Sequence, residues 1–398
     1  MAAHTAPLRF IVQVGEEHTD HDYWGRPEDM AAGGRGLPRP VLELDGARGR
    51  NGSEAAAEGV AALAAAALAW EDVDPVFAAS ATAAARSLFA FASRYEGYFS
   101  DGLPVGNMYP STSYLDDLAW AAAWMLRLTG EGAFREAAST FWDRMVVEEP
   151  DALLVREQSW AHAAPAAAVM LAGLTDEPKY AAFAYLFVET HVQGAAPVAY
   201  TAAGLAYRNQ WGSLRNAANL ALVAAAFGEV LKKWAAAAAS AAPTSAVAGA
   251  IAAKAAGTAT ATANATAMAT APRPATPSPT AGLARLYACW ARGQARFALG
   301  DTGRSFVVGW GVNPPTHVHH RAASCGTETG GPGSNAPACG PADFASPGPN
   351  PQTHVGALAG GPDFYDVYND TRSDYVGNEV ALDYNAAFTG VLAMLRYT

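Results

Sequence analysis

Ser113-Tyr114-Leu115-Asp116-Asp117-Leu118-Ala119-Trp120-Ala121-Ala122-Ala123-Trp124-Met125-Leu126-Arg127-Leu128-Thr129-Gly130 carries the marks of one amphipathic helix. Leu115, Leu118, Ala122, Met125 and Leu126 recur at helical spacing and form a single apolar stripe. Ser113 is placed to cap the first turn, and Asp116 and Asp117 suit the positive end of the helix dipole. Gly130 supplies the stop. Similar patterns occupy about 54–70, 78–95, 131–146, 158–173, 177–190, 211–234, 282–299 and 382–396. Strand signals are sparse: one apolar run, Phe10–Val14, precedes a Gly/Pro/Arg-rich stretch at 31–53 that reads as loop. The sequence predicts an all-α chain of consecutive helical hairpins.

Composition narrows the functional classes. A chain of 398 residues, 51 % hydrophobic and 16 % charged, can bury a sizeable core as one large or two ordinary domains. A formal charge of −11 with no basic stripe argues against nucleic acid as a partner. No uninterrupted run of 18 apolar residues occurs, so no membrane partner is expected. Met1–Pro7 lacks a basic region followed by an apolar core, so no signal peptide is expected. Cys289, Cys325 and Cys339 allow at most one internal disulfide and fit no zinc spacing. Residues 235–281 pass from alanine into Thr/Ala repeats and Pro272-Arg-Pro274-Ala-Thr-Pro277-Ser-Pro279. With almost no large apolar side chain, they read as a disordered insertion between a first part, 1–234, and a second, 282–398. Residues 325–363 read as a long loop on the active face.

The chemistry gathers in the second part. Tyr368-Asn-Asp370-Thr-Arg372-Ser-Asp374-Tyr375-Val-Gly-Asn378-Glu379-Val-Ala-Leu-Asp383-Tyr384-Asn385 interleaves carboxylates with tyrosines as a loop enters a helix. Such a mixture suits sugars, whose ring faces stack on aromatics while their hydroxyls need acceptors. The plainer reading is that Glu379 and Asp383 only complement a helix dipole. Upstream, Ser305-Phe-Val-Val-Gly-Trp310-Gly311-Val-Asn313-Pro-Pro-Thr-His317-Val-His319-His320-Arg321 joins an apolar run to a histidine-rich loop. His317, His319 and His320 with His354 could bind a metal, but no acidic or thiol partner has the spacing a zinc site needs.

Together the two stretches resemble the paired active-site signatures of glycoside hydrolase family 9, the cellulase family of endoglucanases. Ser305, Gly311, Asn313, His319 and Arg321 fit the first signature; Tyr368, Asp370, Tyr375, Glu379 and Asn385 fit the second. Similarity extends from about Leu8 to the C-terminus apart from 235–281, through Trp24–Met30, Tyr109–Asp117 and Gln210–Arg215.

The resemblance implies an (α/α)6 toroid of two concentric helical rings, here incomplete with the first helices missing. It implies inverting hydrolysis of internal β-1,4-glucosidic bonds of a cellulose-type glucan by a secreted monomer. Glu379 would be the general acid, Asp370 would support the site, and His319 and Arg321 would hold sugar hydroxyls near the cleavage point. His21, Trp24, Trp160, Trp211, Arg215 and Tyr384 would contact glucose units. Where the family usually has Trp-Asp-x-Lys, the chain has Trp160-Ala161-His162-Ala163. No cofactor is required; calcium is a family habit for which no ligands can be named. The family's Asp-Ala-Gly-Asp, whose aspartates activate the attacking water, occurs nowhere in the 398 residues. The expectation is that an upstream segment carries it; the alternative is an inactive glucan-binding relative.

Overall fold

The computed structural model describes residues 9–32, 39–103, 109–154, 157–194, 198–240, 279–326 and 339–396. Nine long helices organise them: α1 Ser53–Trp70, α2 Pro75–Arg94, α3 Leu115–Thr129, α4 Gly132–Glu148, α5 Ala164–Leu174, α6 Pro178–Val192, α7 Ser213–Ser240, α8 Pro279–Leu299 and α9 Leu382–Arg396. α1 packs on α3, α3 on α5, α5 on α7 and α7 on α9, so alternate helices form an inner layer. α2, α4, α6 and α8 lie outside, each against the inner helix before it. The result is an α/α toroid arrangement, all-α as the periodicity predicts.

Small residues make the inner layer possible. A helix flanked by inner neighbours and backed by an outer one needs short side chains on several faces. Ala119, Ala121, Ala122 and Ala123 of α3 and Ala164, Ala167 and Ala168 of α5 are fully buried. On α7, a Cβ at Gly228 would stand 3.2 Å from the Ala284 carbonyl oxygen of α8. The two parts on either side of the low-complexity stretch thus pack as one body.

Several boundaries differ from the sequence reading. α3 starts at Leu115, and Ser113 does not cap it; the Ser113 hydroxyl is buried without a partner. The cap comes instead from Glu149, whose carboxylate accepts the Tyr114 and Leu115 N–H groups at 3.2 and 3.0 Å. α5 begins only at Ala164, because Ser159 and His162 exchange backbone hydrogen bonds in a tight turn ahead of Pro165. α7 runs on through the alanines to Ser240, since alanine favours helix. The remaining low-complexity residues, 241–278, lie outside the described residues, as do 327–338 of the long loop. β1 Arg9–Val14 pairs antiparallel with β2 Val41–Asp45, within the stretch read as loop. A second hairpin joins β3 Ala199–Tyr200 to β4 Ala206–Tyr207. Cys325 and Cys339 form a disulfide with their Cα atoms 5.5 Å apart. α2 is long and apolar enough to cross a membrane by length and composition alone, with 28 % of its apolar window buried.

A cluster of acids lies where α1 and α3 start. Glu54 is 5 % exposed and accepts the Phe99 N–H at 2.7 Å, while its other oxygen has no partner. Burial pushes its carboxyl up to about 7, against the pull of that backbone bond and with help from Asp101. Burial also raises Asp117, helped by the neighbouring carboxylates of Asp116, Glu58, Glu54 and Glu149. A first-turn acid gains about 0.3–1 kcal/mol from the helix dipole; the Glu54 displacement corresponds to about 3 kcal/mol in the other direction. Burial therefore wins. A raised carboxyl stabilises the fold fully below its unfolded value of 4.5 and loses that contribution as pH climbs through about 7. The melting temperature is expected to fall from pH 5 to pH 8. Glu54→Gln should flatten that fall; identical pH slopes in the two proteins would refute the assignment.

Candidate active site at the mouth of the inner helices

Tyr109, Trp160, Trp211 and Glu379 stand shortly before α3, α5, α7 and α9 respectively. Chain segments entering inner helices thus converge at one mouth, which is how residues far apart in sequence come together. Glu379 follows a single turn, Tyr375–Asn378, capped by the Asp374 carboxylate on the Gly377 N–H. The turn is tied to the histidine-rich loop by the His319 N–H, which donates to the Asn378 carbonyl at 2.8 Å.

The Glu379 carboxyl is held on one oxygen. Trp211 Nε1–H and the Tyr384 hydroxyl both donate to Oε2, at 2.8 and 3.0 Å. Tyr384 is buried on α9, and burial followed by the Glu379 charge raises its hydroxyl pKa. Gly212 has φ +63°, and a Cβ there would meet the Tyr384 ring and hydroxyl at 2.9 Å; glycine lets Trp211 and Tyr384 close on the same oxygen. Arg215 lies with its guanidinium 5.3 Å from the Tyr384 ring centroid and reaches Asp383 at 3.4 Å.

Asp370 ties its own loop to the histidine-rich one. It accepts the Thr316 N–H at 2.9 Å, the Thr316 hydroxyl at 2.7 Å and the His317 N–H at 3.0 Å. Burial pulls its pKa up, but the bonds from Thr316 and His317 outweigh it and leave the carboxyl below its usual value. His319 is positioned through its Nδ1, 2.7 Å from the Arg372 carbonyl. A carbonyl only accepts, so Nδ1 carries the proton and Nε2 of the neutral ring is the acceptor.

The remaining sequence candidates divide. Trp24 donates to the Ser324 hydroxyl at 2.9 Å and meets the His319 ring edge-on at 5.4 Å. Arg321 lies over Trp24 and donates to the carbonyls of Asp20, at 2.6 Å, and His21. Two of its donors thus brace the turn that carries Trp24, and His21 enters through its backbone. Trp160 is 42 % exposed at the tip of its turn and meets Tyr109 edge-on at 5.8 Å; it is not a helix residue, as the pattern over 158–173 suggests. Tyr109 received no role of its own from the sequence. Its hydroxyl is raised by burial and then by the charges of Glu379 and Asp383, which places it in the mouth. Asn378 and Arg372 were likewise missed, because a buried polar side chain leaves no periodic trace.

His320 lies against His354, with ring centroids 4.1 Å apart. His320 Nδ1 accepts the Ala323 N–H at 3.1 Å, and burial with the nearby His354 lowers its pKa to about 4. Among the described residues no group of three or more His, Cys, Asp or Glu could hold a metal.

The profile of glycosyl hydrolase family 9 matches residues 1–392. Endoglucanase A of Bacillus pumilus is 31 % identical over 406 residues, covering 99 % of this chain; the chain spans 51 % of that relative, about half its length. The solved endoglucanase of the termite Nasutitermes takasagoensis superposes with a TM-score of 0.75 at 34 % identity, over 99 % of this chain and 75 % of that one. The cellulase Cel9M of C. cellulolyticum, solved in complex with cellobiose, gives 0.73 at 26 % identity, again over 99 % and 75 %.

Proposed function

The chain belongs to glycosyl hydrolase family 9, and from that membership we propose that it is an endo-β-1,4-glucanase cleaving internal bonds of cellulose-type glucans. The observation that carries the reading is the Glu379 carboxyl, fixed through Oε2 by Trp211 and Tyr384 in a mouth lined with aromatic rings. With Oε2 occupied, Oε1 is the oxygen that bears the proton and delivers it to the departing glycosidic oxygen. Tryptophan at the acid does two things: its N–H orients the carboxyl, and its half-exposed face offers a stacking surface to the sugar accepting that proton. His319 Nε2 accepts a sugar hydroxyl, and Asp370 keeps the His317–Arg321 loop in register with the acid. Inversion would need a base on the opposite ring face, roughly 6.5–9.5 Å from the acid; no residue of this chain is assigned to it. The Cys325–Cys339 disulfide supports a secreted, oxidising location.

A second reading takes the aromatic rings around Glu379 for binding alone. It is a glucan-binding relative that holds the polymer without cutting it. The deciding experiment is reducing-end release from carboxymethyl cellulose beside retention on the same polymer. Release supports the glucanase; retention without release by the folded chain supports the binding protein and sinks the glucanase.

A further inference from the structure

Both stems of the loop Asp363–Val367 are tied to residues immediately ahead of Glu379. On one side the Gly361 N–H donates to the Gly377 carbonyl at 2.9 Å, and the Ser213 hydroxyl donates to the Pro362 carbonyl at 2.7 Å. On the other, the Tyr368 hydroxyl donates to Asn378 Oδ1 at 2.5 Å. Between these stems the loop presents Phe364, Tyr365 and Val367, which are 41, 80 and 53 % exposed. Phe364 meets Tyr207 edge-on at 5.5 Å and Tyr365 at 5.6 Å. Tyr207 ends β4, four residues before Trp211, so its Cα lies within about 14 Å of the Trp211 Cα by chain reach alone. Trp211 in turn packs on Tyr375 with ring centroids 5.1 Å apart.

The loop is held rather than loose. Asp363 Oδ1 accepts the N–H groups of Tyr365 and Val367 at 2.8 and 2.9 Å. Asp366 Oδ2 accepts the Ala203 N–H at 2.8 Å, fastening the loop to the β3–β4 turn. Asp366 does so at φ +62°, a left-handed turn conformation that aspartate adopts more readily than most side-chain-bearing residues. Two aromatic rings on a braced loop and a third, Tyr207, on the neighbouring strand form a surface that an extended sugar chain can cover.

We propose that Tyr207, Phe364 and Tyr365 form an additional glucan-binding subsite extending the groove beyond Trp211. The subsite rests on the reading of that groove as a glucan site. Its occupant is a further part of the same β-1,4-glucan chain, stacking its apolar ring faces on Phe364 and Tyr365. Long oligosaccharides reach it; short ones bound at the acid do not.

The test titrates the 398-residue chain carrying Glu379→Gln, so that bound sugar stays intact, with cellotriose and cellohexaose by calorimetry. Adding Phe364→Ala and Tyr365→Ala is expected to weaken cellohexaose about tenfold and cellotriose less than about twofold, with Tyr365→Phe keeping most of the affinity. Equal weakening of both sugars, or none for cellohexaose, overturns the subsite. If the Glu379→Gln chain binds neither sugar, the glucan reading itself has failed, and the subsite with it.

Discussion

Glu379→Gln is expected to lower reducing-end release from carboxymethyl cellulose by about 100- to 10,000-fold, the usual contribution of a positioned general acid. Glutamine keeps an acceptor for Trp211 Nε1–H and the Tyr384 hydroxyl, so the shape of the mouth survives while the transferable proton is lost. Cello-oligosaccharide binding should therefore stay within a few-fold of the parent. That split separates a missing proton from a damaged groove. Trp211→Phe provides the companion result. It retains a ring for stacking but removes the N–H, so it should lower the rate less than Glu379→Gln does. Equal rates in the parent and Glu379→Gln chains would dismiss Glu379 as the acid, whatever the groove binds.

How much of this was legible in the sequence depends on range. α3, α4, α6 and α9 came out within a few residues of their periodic patterns, because an apolar stripe is a local signal written every three or four positions. β2 was not found: Val41-Leu-Glu-Leu is too short to alternate convincingly, and its pairing with Phe10 and Ile11 is decided thirty residues away. The Ser113 cap failed for a similar reason, since Glu149 reaches across from the end of α4 to take the same N–H groups. At the site, the two signatures brought Glu379, Asp370 and His319 into one region. They could not show that Asp370 spends its oxygens on Thr316 and His317, or that Arg321 braces the Trp24 turn. Tyr109 escaped because only the folded mouth brings it near Glu379 and Asp383.

Arg372 is where the largest effect on stability is expected. It is 3 % exposed and, among the described residues, has no carboxylate within ion-pair distance. Its donors instead go to the carbonyls of Ser346 and Gly348, each at 2.5 Å, to Asn350 Oδ1, and at longer range to the carbonyls of Asp343 and Phe344. Burial lowers the guanidinium's pKa, partly offset by Asp370 and Asp343, and arginine has ample margin to remain charged. The planar fork is thus the peg around which residues 343–350 fold, and its own carbonyl sets the His319 ring. Arg372→Ala removes a charged donor from several half-buried or exposed acceptors at once, at about 1.5–3 kcal/mol for each such bond. Partial relaxation and water entry reduce the sum to roughly 3–5 kcal/mol, near the upper end for a single substitution. Arg372→Lys keeps the charge but cannot serve five acceptors in one plane, so it should recover less than half of that loss. Denaturant unfolding of the three proteins measures it. A loss below about 1 kcal/mol in Arg372→Ala would show that the loop stands without its peg, and that the His319 carbonyl contact is held by the backbone alone.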